Sequence, residues 1–233
     1  MTDPTVLATG GGTGVDLAVT TNHLAVAPIV IPLLTAILTL ALRRQTRVQR
    51  AVSLLGGLAY AVAVTLLGLA VFGGGIQTYQ LSAWPAPFGI TLVADALSAF
   101  MLVVAVAVAV PALVYSVLAL DAFRQRVAYH TLFHFLLMGA SGAFLTGDVF
   151  NLFVWFEVML LPSYVLVAYY GSPAATAAAL RYTVLNLIGS AVMLIGIGGL
   201  YATTGTLNMA DMARRLAEAD AYGIDAGAVL VMG

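Results

Sequence analysis

One carboxylate, Glu157, stands in the stretch GDVFNLFVWFEVMLLPSYVLVAYYG (Gly147–Gly171), where every other residue after Asp148 is uncharged. A group so placed can carry a proton, hold a cation or hydrogen-bond to a neighbouring helix. Burial disfavours an ionised carboxylate and an apposed cation favours it. A site whose partner comes and goes can therefore take up and release protons near neutral pH. Pro162, five residues on, removes an amide donor and can bend the helix beside Glu157. Asn151 and Ser163 lie six residues to either side and do not share its face closely.

Three further residues carry weaker chemistry. His130 and His134, spaced i, i+4, share one helix face. They fit either an interfacial position or a proton-feeding role. HxxxH also occurs in membrane di-iron enzymes, but those need many more histidines than the 3 present here. Arg181 precedes YTVLNLIGS, which carries Asn186 and Ser190. It reads as a snorkelling anchor or as a charge that tunes Glu157. Asp148 and Asp95 stand where a carboxylate would cap a helix N-terminus. Cysteine and lysine are absent, and no phosphate-binding loop or nucleophile–base pair can be assembled. No metal, no cofactor and no enzymatic activity are expected.

The elements that hold these residues follow from composition. The 233 residues are 62% hydrophobic and 8% charged, with mean hydropathy +1.03. Soluble domains carry about 25% charge, so the expected class is an all-α polytopic membrane protein. The net charge of -1 gives no hint of nucleic-acid binding. At about 20 apolar residues per crossing, six spans are expected: Leu24–Leu42, Ala51–Phe72, Ala96–Leu120, Thr131–Thr146, Val149–Tyr170 and Arg181–Ala202. The fourth is short and must borrow from its flanks. Residues 203–225 read as a connecting segment outside the membrane, and Ala226–Gly233 as the start of a seventh span, the first part of a longer protein.

Seven arginines (Arg43, Arg44, Arg47, Arg50, Arg124, Arg126, Arg181) fall on one side of these spans and two, Arg214 and Arg215, on the other. The positive-inside rule then places the Arg-rich side in the cytoplasm of a cell membrane and the N-terminus outside. Residues 1–23, polar and without basic residues, read as a flexible external tail rather than a signal peptide. In the loop Gly73–Ala94, TYQLS and FGITLV have strand-like content around the turn WPAP, which predicts an external hairpin.

GAFLTGDVFNLFVWFEVMLLPSYVL, TVLNLIGSA, LYATTGTLNMADMA and WPAPFGITLVADALS together resemble the D subunit of the multisubunit, Mrp-type sodium/proton antiporters, which is similar to the antiporter-like membrane subunits of respiratory complex I. The resemblance implies an all-helical fold of about fourteen spans with two inverted repeats. It implies that Glu157 matches a glutamate on helix five that works with a lysine on helix seven. Arg181 falls where members carry a basic residue, and the hairpin matches one that contacts neighbouring subunits. The implied function is cation/proton antiport within a multisubunit complex, moving H⁺ and Na⁺. A proton-pumping subunit of complex I or a membrane-bound hydrogenase, and a scaffold subunit without transport, remain as alternatives.

Overall fold

A computed structural model describes residues 20–21, 23–81, 84, 89–119, 128–169 and 171–224. Arg124, Arg126, the centre of the WPAP turn and the apolar run 226–233 lie outside the described residues, as do residues 1–19 of the tail.

Apolar helices make up most of the described chain. After a 3-10 turn at His23–Val26 come α1 (Ala27–Ala41), α2 (Thr46–Gly74), α3 (Ala96–Ala119), α4 (Tyr129–Leu145), α5 (Val149–Val167) and α6 (Pro173–Thr204), then the short α7 (Met209–Ala217) and α8 (Ala219–Tyr222). In a bilayer every backbone polar group must be satisfied internally, which a helix does within one segment. Among the described residues, five helical segments are long and apolar enough to cross a membrane: the 3-10 turn continued by α1 (His23–Ala41), and α2, α3, α5 and α6. The exception among the expected spans is α4. Its 17 residues measure about 25 Å, against about 30 Å of hydrocarbon. It packs inside the bundle, chiefly against α1 and α5.

The pattern of buried residues explains the packing. On α2, Gln49, Ser53, Gly57, Tyr60, Val64, Leu67 and Val71 are buried, a spacing of three and four that marks one helix face. Its Arg-rich end is polar and the rest apolar, so the helix begins before the span expected at Ala51. The core lies among α1 to α4, around Tyr60, Leu67, Leu102, Leu137 and Leu145.

Two expectations are corrected. The sixth span is expected from Arg181, but α6 starts at Pro173, and Arg181 lies eight residues inside it. Ser172 caps that end by accepting from the Ala175 amide at 3.1 Å, Pro173 suits the first turn, and the alanine-rich run that follows is a strong helix former. The tail, expected to be flexible to residue 23, instead supplies strand β1 (Thr20–Thr21).

β1 pairs in parallel with β2 (Gln77–Gln80). β2 pairs antiparallel with β3 (Thr91–Ala94), Gln77 opposite Ala94 and Gln80 opposite Thr91, so the hairpin forms. It is tied to the turn between α4 and α5: the Gly147 amide donates to the Thr91 carbonyl at 2.8 Å. The same turn holds the segment after α6. Val149 donates to Leu207 and Met209 to Gly147, each at 2.9 Å. The connection 203–225 is therefore helical in α7 and α8 and anchored at the foot of α5.

Candidate functional site

The position of Glu157 is set from the start of α5. Asp148 caps the helix, its Oδ1 accepting from the Asn151 amide at 2.7 Å, as its place in the sequence predicts; Asp95 does the same for α3, accepting from the Ser98 amide at 2.7 Å. Asp148 is buried. Burial pushes its carboxyl above the ordinary carboxylate range, while the amides of Asn151 and Phe150 pull the other way. Nine residues after this cap, Glu157 lies about 13.5 Å along the helix axis, near the middle of α5.

One face of α5 is locked against α4. A Cβ on Gly139 would lie 2.7 Å from the Met159 backbone nitrogen, and the Trp155 ring lies directly over Gly142. This close approach turns Trp155 and Met159 toward α4. Glu157, between them in sequence, faces α6 instead. There the Ser190 hydroxyl donates to its Oε1.

The two residues border a crevice of about 160 Å³ between α5 and α6, lined by Phe153, Phe156 and Leu160 on one side and Asn186, Gly189 and Ser190 on the other. Asn186 turns its amide back to the Tyr182 carbonyl of its own helix at 2.8 Å. A carboxylate accepts about four hydrogen bonds; the one described partner is Ser190. Two turns along α5, the Tyr164 hydroxyl is buried without a hydrogen-bond partner, its ring edge-on to Tyr182 at 5.3 Å between centroids. α6 packs chiefly against α5, which puts the crevice at the rim of the bundle rather than in its core.

Arg181 is not brought to Glu157. It is exposed and nine residues before Ser190, about 13.5 Å along the axis. Among the described residues, Asp211 is the carboxylate paired with arginines, Arg214 and Arg215 on α7. His130 and His134 lie on the α2 side of α4, away from Glu157. Both are fully buried, which corrects the interfacial reading: α4 is enclosed by protein at this end. His134 Nε2 lies 3.0 Å from Ser53 Oγ on α2.

A family model described as NADH:quinone oxidoreductase/Mrp antiporter, TM, matches residues 146–232, which include Glu157 and Ser190. The D subunit of the Na(+)/H(+) antiporter of Bacillus subtilis (strain 168) is 38% identical over 203 residues, covering 87% of this chain and 41% of that protein. The chain is a homologue of these antiporter D subunits. A chain in the structure of the Mrp complex from Dietzia sp. DQ12-45-1b superposes with a TM-score of 0.77 at 33% identity, over 90% of this chain and 38% of that one. A chain of an archaeal respiratory membrane complex, the membrane-bound sulfane sulfur reductase, gives 0.80 at 28% identity, over 91% and 42%. The homologue thus spans about two fifths of the length of the proteins it matches.

Sequence reasoning finds Glu157 in this homologue but not its partner. Ser190 is visible there only as a polar residue inside an apolar helix, since nothing in the chain says which neighbour that helix faces. The polar α2 residues on the side facing α4 escape it altogether. Gln49, Ser53 and Tyr60 stand at intervals of four and seven on α2, the one signal that could place them on a single buried face.

Proposed function

We propose that this chain is part of a proton- and cation-translocating subunit of a multisubunit sodium/proton antiporter, with Glu157 as the proton carrier within the membrane. The observation that supports it most is the mid-helix carboxylate facing Ser190 across the α5–α6 crevice. An acidic residue at the bilayer centre costs about 2.5–3.5 kcal/mol on insertion scales. A purely structural contact to Ser190 would be made by Gln or Asn without that cost.

In this reading the N-terminus is outside, the Arg-rich ends of the helices are cytoplasmic, and the hairpin faces outward. The partners are the bilayer, other subunits of the complex, H⁺ and Na⁺. Arg181 adds positive potential on α6 at a distance rather than by contact. His134 belongs to proton supply from the Arg-rich side.

A second reading has a specific observation behind it. The family model and the archaeal respiratory complex both point to redox-driven relatives. The same Glu157 would then serve a proton pump, and hydrophilic dehydrogenase subunits would copurify with the chain.

The test is sodium/proton exchange in vesicles holding the whole complex, parent against Glu157→Gln, with assembly verified in both. Loss of exchange from an assembled complex supports the relay. Undiminished exchange overturns it and leaves a scaffold subunit. Exchange driven by potassium as well as sodium would show that the sodium assignment is too narrow.

A further inference from the structure

A second polar array runs through the bundle on the side away from Glu157. Ser53 Oγ meets His134 Nε2 at 3.0 Å, and Tyr60 OH meets Ser141 Oγ at 3.0 Å. Both pairs join α2 to α4, and both are 81 residues apart in sequence. That constant offset means α2 and α4 run parallel and in register. One turn nearer the Arg-rich end, the same offset pairs Gln49 with His130.

That third rung is open. Gln49 donates through Nε2 to the Thr39 carbonyl at 3.1 Å, but its Oε1 has no partner. Neither ring nitrogen of His130 has one, nor does Nδ1 of His134. Gln49, His130 and His134 are each 0% exposed. Beside them Thr39 Oγ1 lies 3.2 Å from Thr131 Oγ1, so the level is polar on α1, α2 and α4 alike. Buried polar atoms without a protein partner are commonly held by internal water with two to four such contacts.

We infer that Gln49 and His130 bind a buried water molecule between them, so that two polar rungs, Gln49–water–His130 and Ser53–His134, stand one turn apart at the Arg-rich end of α2 and α4. The Tyr60–Ser141 pair lies seven residues, about 10.5 Å, further along, with Leu137 and Met138 of the apolar core in between. The hydroxyl, imidazoles and water of the first two rungs can each both accept and donate a proton. They form a proton path that enters at the Arg-rich end and is separate from the Glu157 crevice. The water site stands on the register and the unpartnered atoms. Its use as a path rests on the antiport reading.

Two measurements on the complete complex separate these parts. An experimental density map that resolves ordered water elsewhere is expected to show a solvent peak within hydrogen-bonding distance of Gln49 Oε1 and a ring nitrogen of His130. Direct contact between the two side chains, or no solvent density there, overturns the site. In vesicles, the double variant Gln49→Leu/His130→Leu is expected to slow exchange about tenfold or more, because both groups that hold the water are gone and a proton would have to cross an apolar gap. His130→Gln, which can still hold water, keeps most of the rate. An assembled double variant that exchanges at the parent rate overturns the path. If the double variant fails to assemble, Gln49→Leu decides, since it removes the Oε1 that holds the water: exchange at the parent rate in that assembled complex overturns the path. Glu157→Gln serves as the control: undiminished exchange in that variant sinks the reading of this chain as the translocating subunit and leaves the water site standing.

Discussion

Ser190 of α6 donates its hydroxyl hydrogen to the carboxylate of Glu157 on α5. Two largely apolar helices thus meet through polar groups at one level. Ser190→Ala removes the donor and leaves the carboxylate. A hydrogen bond within a protein contributes roughly 0.5–1.5 kcal/mol net, so exchange by the assembled complex should fall several-fold. It should remain above that of Glu157→Gln, and Ser190→Thr should restore it. Vesicle exchange assays on the three variants check the order.

Arg181 should matter less. It lies about 13.5 Å along α6 from Ser190 and is exposed. Arg181→Gln should change exchange by no more than about threefold at moderate salt, because exposed charges beyond roughly 8–10 Å are largely screened. Complete loss of exchange in an assembled Arg181→Gln complex would show that the charge acts on Glu157 more directly than its position allows.

The seat of Glu157 depends on glycine at the α4–α5 contact. A Cβ on Gly139 would lie 2.7 Å from the nitrogen and 2.8 Å from the Cα of Met159. These are backbone atoms and cannot turn aside. Gly139→Ala should therefore push α5 away from α4 and destabilise the fold by about 1–3 kcal/mol. A lower melting temperature of the purified complex, with slower exchange, is the expected result.

Asp148 gives the foot of α5 a pH dependence. Its carboxyl is raised by burial, so the folded state holds its proton to higher pH than the unfolded chain does. The stability linked to that proton is complete below the unfolded carboxylate range and is lost as pH rises through the folded value. Asp148→Asn keeps a capping side chain and removes the titration. The variant should melt higher than the parent at neutral pH, and the difference should vanish in acid.

Asp211 behaves in the opposite sense. The Arg214 guanidinium, first, and contacts to Thr206 and Arg215 hold its carboxyl below the usual range. Its contribution is present above the unfolded carboxylate value and is lost as pH falls through the lower folded one. Arg215 also donates to the Thr204 carbonyl at 2.9 Å, which ties α7 to the end of α6. Acidification should therefore loosen α7 before the bundle opens, seen as faster amide exchange in Met209–Ala217 at low pH, and Asp211→Asn should show it already at neutral pH.

The class, the apolar helices, the hairpin and the prominence of Glu157 are all legible in the chain alone. Each follows from a local quantity: the length of apolar runs, the strand-forming content around a turn, and the cost of one carboxylate in hydrocarbon. The cap at Asp148 is legible for the same reason, since a cap is made within four residues. The start of α6 is not where the charge of Arg181 suggests, because Ser172 and Pro173 set that boundary. Contacts between helices lie beyond the sequence. Ser190 reaches Glu157 because Gly139 and Gly142 seat α5 on α4 and turn its other face to α6. His130 and His134 are buried rather than interfacial because α1 and α2 close over them. Which polar residue meets which depends on helix rotation and register, and only the packing of side chains from distant parts of the chain decides those.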